Sequence, residues 1–88
     1  MEFDWDADNL QHIARHGINP REAEEAVSIE PLETDVQPHE NEERVLCFGR
    51  TKSGRLLTIL YTERRGKIRV VTAYEMTKPQ QKTYFEGT

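Results

Sequence analysis

Val45-Leu46-Cys47-Phe48, Leu56-Leu57-Thr58-Ile59-Leu60-Tyr61 and Ile68-Arg69-Val70-Val71-Thr72-Ala73 decide the fold, as three short runs rich in β-branched, aromatic and aliphatic residues. Thr51-Lys52-Ser53-Gly54 and Arg64-Arg65-Gly66 separate them. Connections this short cannot carry a crossover, so neighbouring runs pair antiparallel as a three-stranded meander. A sheet of this kind needs a cover on one face, and the residues upstream supply it. Leu10, Ile13 and Ala14 recur at helical spacing behind a capping Asp6, and Gly17 closes that helix. Asn19, Pro20 and Glu22 open a second helix with a capping-box pattern, and its buried stripe is Ala23, Ala26 and Val27. Glu30-Pro31 stops it. Pro31 to Asn41, with two prolines and alternating Leu32, Thr34 and Val36, reads as a short edge strand running into a polar loop.

Downstream of the meander, Thr77 caps a last short helix with Pro79 in its first turn and Gln80 at the capping-box position. Met76, Tyr84 and Phe85 are its only anchors. At the other end, Phe3 and Trp5 alternate with Asp4 in a short strand and belong to the core. The expected class is α+β, with two N-terminal helices packed on an antiparallel β-meander and a short C-terminal helix. Residues 1–88, 35% of them hydrophobic, suit a single domain with one modest core. The longest apolar run, Leu56 to Tyr61, is far short of the roughly 20 residues of a membrane span, and the acidic N-terminus has no secretion signal. A cytoplasmic protein without membrane contact is expected. Cys47 stands alone, without a disulfide partner, and reads as a small core hydrophobe.

Charge is sorted along the chain. Residues 1–43 hold thirteen Asp or Glu against Arg15 and Arg21, whereas residues 44–88 hold ten Lys or Arg against Glu63, Glu75 and Glu86. A small domain cannot keep such halves apart, so the basic strands need either an anionic partner such as nucleic acid or an acidic cover from the same chain. Arg69 stands out, because a guanidinium in mid-strand must find carboxylate or phosphate. If alternation is strict, Lys67, Arg69, Val71 and Ala73 share one face. With Arg50, Arg55 and Arg64 at strand ends, Arg69 forms a candidate phosphate-backbone surface of low sequence specificity, and ordinary solvated or ion-paired arginines are the alternative.

His12 and His16, four residues apart, share a helix face. Two imidazoles do not complete a metal site, and the glutamate that follows the first histidine in metalloprotease helices is missing, so no metal is expected. His16, just before Gly17, also suits a helix C-terminus. Tyr61, Tyr74 and Tyr84 can each hold a base or a proton, or simply pack. No Ser-His-Asp spacing, phosphate-cradling glycine loop or close carboxylate pair is present.

The ordered segments Phe3-Asp4-Trp5-Asp6, Asn9, His16-Gly17-Ile18, Glu22-Ala23, Gly49-Arg50, Gly54-Arg55-Leu56-Leu57 and Ile68-Arg69-Val70-Val71-Thr72-Ala73 resemble the BrnT family of type II toxin-antitoxin toxins. The resemblance spans nearly the whole chain. It implies a RelE-like ribonuclease fold that cuts RNA without metal or other cofactor, and a cognate DNA-binding antitoxin through which alone the complex meets DNA. In such enzymes a base activates the 2′-hydroxyl, cations stabilise the phosphorane and an acid protonates the leaving oxygen. By that resemblance Arg69 takes the phosphate role, His16 and Tyr74 the proton transfers, and Arg50, Arg55 and Arg64 the flanking RNA. The sequence departs from the family at Tyr74-Glu75-Met76, where a carboxylate beside the phosphate site would repel RNA. A non-catalytic RNA-binding or protein-interaction module of the same fold is the alternative. The antitoxin is expected to cover the basic sheet.

Overall fold

The computed structural model describes all 88 residues. Its elements are α1 (Ala7–Ala14), α2 (Pro20–Ser28), β1 (Leu32–His39), β2 (Glu42–Arg50), β3 (Leu56–Arg64), β4 (Lys67–Glu75) and α3 (Lys78–Gly87). The strands form one antiparallel sheet in the order β1-β2-β3-β4. The meander therefore has four strands, one more than the three runs that decide the fold. The Pro31 to Asn41 segment pairs with β2 through His39, leaving only Glu40-Asn41 as a turn in place of the expected polar loop. Pro38 is tolerated because β1 is an edge strand.

Each helix opens with a complete capping box, formed by Asp6 with Asn9, Asn19 with Glu22, and Thr77 with Gln80. α2 buries Ala23, Ala26 and Val27 as its spacing predicts. α1 differs. It buries Ile13 and Asn9 and leaves Leu10 and Ala14 exposed, because the Asn9 side-chain amide donates to the carbonyls of Asp4 (2.9 Å) and Val70 (3.1 Å). That pair of bonds ties the first turn of α1 to β4 and fixes which side of the helix faces in.

The helix-side core joins Ile13, Ile18, Ala23, Ala26 and Val27 to Cys47, Leu57, Ile59, Tyr61, Val70 and Ala73. Phe3 and Trp5 are half-buried at its margin, where Phe3 bridges to Ile68 and the Trp5 indole donates to Glu24 (2.8 Å). Gly49 lies under α2 so closely that a Cβ there would stand 1.7 Å from the Ala26 carbonyl oxygen. Cys47 is buried, and burial pushes its thiol up to about 11, as suits a core residue.

A bulge in β4 breaks the strict alternation. Leu60 pairs with Thr72 and Tyr61 with Val70, so Val71 has no partner and both Val70 and Ala73 turn to the helix side. Ala73 thus leaves the face of Arg69, while Thr72 and Tyr74, opposite Leu60 and Thr58, join it. The helices also divide between faces. α3 packs on the side opposite α1 and α2, where Met76 and Tyr84 meet Phe48, Leu32, Leu46 and Leu56. Tyr84 donates to the Glu30 carbonyl (2.9 Å), whereas Phe85, expected as an anchor, is exposed. Solvent keeps only the half of this second face that lies toward Arg44 and Arg69.

Candidate functional site

The open half of the second face carries a row of three positions across the sheet. Arg44 on β2 pairs with Thr62 on β3, and Thr62 pairs with Arg69 on β4. Neighbouring strands lie about 4.8 Å apart, which sets the two arginines about 10 Å from each other with a small threonine between them. Arg64, two residues beyond Thr62, joins them. Together with Asp8 and His12 of α1 and Val71 of the bulge, these side chains line a groove of about 210 Å³.

Arg69 is the most enclosed cation, with its side chain 14% exposed. It donates to the Asp6 carboxylate at 2.9 and 3.1 Å, and Asp4 stands at 3.7 Å. The bond to Asp6 raises the Arg69 pKa, and the same bond, ahead of the Asn9 amide, holds the Asp6 carboxyl below its usual value. Arg64 and Arg44 share Glu42, with contacts of 2.9 and 3.1 Å, and both lower its pKa, Arg64 the more. The acidic half of the sequence therefore supplies the cover that the basic half requires.

The residues expected to act together fall into three places. His16 meets Tyr74, with ring centroids 6.3 Å apart, and His12 lies 6.0 Å from His16. Gln80, at the start of α3, donates to the Tyr74 hydroxyl (3.1 Å). Arg69 is four positions further along β3 from Tyr74, about 13 Å at about 3.3 Å per residue, and His12 spans the interval because it also lines the Arg69 groove. Arg50 and Arg55 are elsewhere. Arg50, opposite Leu56, is six β3 positions from Arg69, about 20 Å away, and donates to Glu30 at 2.7 Å. Arg55 donates to both oxygens of Glu22 (3.1 and 3.0 Å), to Glu75 (2.8 Å) and to the Gly17 carbonyl (2.9 Å). It ties the α1–α2 turn to the end of β4.

Glu75 is accounted for by the same contact. It lies beside Arg55 at the far end of the sheet from Arg69, so the carboxylate that departs from the family pattern is not next to the Arg69 groove. Sequence reading missed His12 and Arg44 as members of the groove. The signal for His12 was its three-residue spacing from Asn9, which is buried against β4. Arg44 gave no signal, since a strand's first arginine usually faces water. No group of three His, Cys, Asp or Glu side chains is arranged to hold a metal ion.

The family model for the BrnT ribonuclease toxin of type II toxin-antitoxin systems matches residues 5–79. The chain belongs to the BrnT family. A search of curated proteins found no match. In this BrnT chain the matched span contains the whole sheet, α1, α2, the three groove arginines, His12 of α1 and His16, which lies in the turn after α1, and it stops at the first turn of α3. No helix is long and apolar enough to cross a membrane.

Proposed function

We propose that this BrnT chain, residues 1–88 acting as one RelE-like toxin domain in the cytoplasm, cleaves single-stranded RNA without a metal ion in the groove between α1 and the open half of the sheet. The observation that carries the proposal is Arg69: a mostly enclosed guanidinium facing a groove that also holds an imidazole and two further arginines. A phosphate replaces Asp6 and Asp4 on Arg69, and Arg44 and Arg64 add positive charge where the phosphorane develops. His12 borders that phosphate. His16 and Tyr74 continue the same line through ring contacts, and the proton transfers are assigned to them together with His12.

In the reaction a base takes the proton of the ribose 2′-hydroxyl, the 2′-oxygen bonds to phosphorus, and the 5′-oxygen leaves with a proton from the acid. The products are a 2′,3′-cyclic phosphate and a 5′-hydroxyl. The chain's partner is a cognate antitoxin, which holds the toxin inactive and carries any DNA contact. Arg64 grips RNA at the groove, while Arg50 and Arg55 reach RNA only by giving up Glu30, Glu22 and Glu75.

That engagement of the arginines favours a second reading, an RNA-binding or protein-interaction module that does not cut. Purified chain incubated with RNA in excess EDTA separates the two. The expected result is cleavage with cyclic-phosphate ends, lost in Arg69→Ala while the melting temperature stays close to wild type. RNA bound but left intact by the wild-type chain would establish the second reading instead.

A further inference from the structure

The largest concavity of the molecule, about 720 Å³, lies on the helix side of the sheet at the end that α1 and α2 do not cover. Val45 and Tyr61, directly paired, form its floor with Val36 and Pro38 of β1. Val36 is 51% exposed, unusual for an aliphatic residue on the face that elsewhere builds the core. Around this apolar floor stand Glu33, Glu40, Glu43 and Glu63. None of the four makes an ion pair, although six arginines are paired with carboxylates of the same chain, Arg44 and Arg64 with Glu42 at the margin of this concavity. Glu33 accepts a hydrogen bond from the Tyr61 hydroxyl (2.8 Å), which burial and that carboxylate together hold in its protonated form.

We infer that this uncovered sheet face is the docking surface for a cationic segment of a partner protein, with arginine or lysine set between aliphatic side chains. The inference rests on the toxin reading in one respect only, that the partner is the antitoxin. Aliphatic groups of the segment cover Val36 and Val45, and its cations meet Glu33, Glu43 and Glu63. In the free chain the floor leaves apolar surface in water and the rim sets like charges near one another, both unfavourable, and one cationic, aliphatic segment relieves both. RNA is repelled by the same carboxylates. The β1 edge is a poorer dock than the face, because Pro38 and the bulge between Glu33 and Asp35 interrupt its ladder. On this inference the antitoxin contact lies in the acidic groove, while the arginines of the basic strands are engaged by the chain's own carboxylates.

The test is a titration of the full ¹⁵N-labelled chain with a synthetic dodecapeptide of alternating arginine and valine, followed by amide shifts. Alternating glutamate and valine serves as the control peptide, and oligouridylate as the competing macromolecule. The expected result is saturable shifts at Val36, Glu43, Val45 and Glu63, weakened about tenfold or more in Glu43→Lys/Glu63→Lys and less in Glu43→Gln/Glu63→Gln. Shifts confined to α1 and α2, unchanged binding by the lysine variant, or occupation of this groove by oligouridylate would each overturn the inference. RNA cleavage is measured on the same samples. A chain that cuts RNA but ignores the peptide loses the docking surface alone, and one that binds the peptide without cutting loses only the toxin reading.

Discussion

Replacing Arg69 by Ala measures how many phosphates the groove holds. Three cations, Arg44, Arg64 and Arg69, line it, and each phosphate contact on a single strand contributes about −0.7 to the slope of log affinity against log salt. The wild-type slope is therefore about −2, so affinity falls about 18-fold between about 50 and about 200 mM salt. With Arg69 removed the slope becomes about −1.4, and the same change in salt costs about sevenfold. Asp6 and Glu42 weaken the grip without changing which phosphates are contacted. Arg55→Ala is the discriminating control, since Arg55 is held by Glu22, Glu75 and the Gly17 carbonyl about 20 Å from the groove by strand spacing. Its removal leaves the slope at the wild-type value. A 2′-O-methyl oligonucleotide, which cannot be cleaved, allows fluorescence anisotropy to read binding alone. The reasoning fails if wild-type affinity is flat with salt, or if Arg55→Ala flattens the slope as much as Arg69→Ala does.

Two further outcomes test the scaffold. Gly49→Ala places a methyl group against the Ala26 backbone carbonyl, which cannot retreat without moving α2, so the loss is about 3 kcal/mol or more, or about 12–24 °C in melting temperature for a chain of this size. Gly54→Ala, with open space around its Cβ but a φ of 89°, loses only about 1–2 kcal/mol, and equal melting shifts in the two variants would contradict the close α2 contact. Arg55→Ala leaves Glu22 without a cation and costs about 1–2 kcal/mol at neutral pH, discounted for the exposure of Glu75. The Glu22 pKa is lowered, first by the Asn19 backbone N–H and then by Arg55. A depressed carboxyl stabilises the fold above its ordinary value of 4.5 and loses that contribution as pH falls through the lower folded value, so the gap between variant and wild type closes in acid. A gap that stays constant from neutral pH down to about pH 3 would refute the assignment of this pair.

Periodicity made most of the fold readable, and what it concealed has specific causes. The capping residues Asp6, Asn19 and Thr77 gave the helix starts because each offers an oxygen to free backbone N–H groups, a local effect that needs no tertiary context. β1 was underestimated because its outward residues are polar and proline-bearing, and its length is set by pairing with β2. The β4 bulge was invisible, since an extra residue leaves composition unchanged while reversing every later side chain. It misled the reading of Arg69 and Ala73 as same-face neighbours. The site was legible at Arg69, whose charge in mid-strand is anomalous in any fold. Its assembly with His12, Arg44 and Arg64 depends on which helix face meets β4, and the buried amide of Asn9 sets that.

The sorted charge of the sequence takes on a definite meaning once the contacts are known. Asp4 and Asp6 hold Arg69, Glu22 holds Arg55 and Glu30 holds Arg50, so carboxylates from the N-terminal segments sit on the arginines of the strands. These pairs are of two kinds. Arg55 is fastened by three groups at once and joins the α1–α2 turn to both β3 and β4, so its role is architectural and a ligand reaches it only by displacing Glu22 and Glu75. Arg69 is held by carboxylates whose side chains are 42% and 50% exposed, so water and competing anions reach them. These carboxylates are solvated again when displaced and a phosphate keeps the enclosed Arg69 paired, so exchanging one for the other costs the fold little. Of the Gly-Arg motifs, Gly54-Arg55 belongs to the first kind, whereas at Gly49-Arg50 the glycine admits α2 and the arginine pairs only with the exposed Glu30. On the proposed reading, anion chemistry belongs at the Arg69 end, where exposed carboxylates, the groove and His12 coincide.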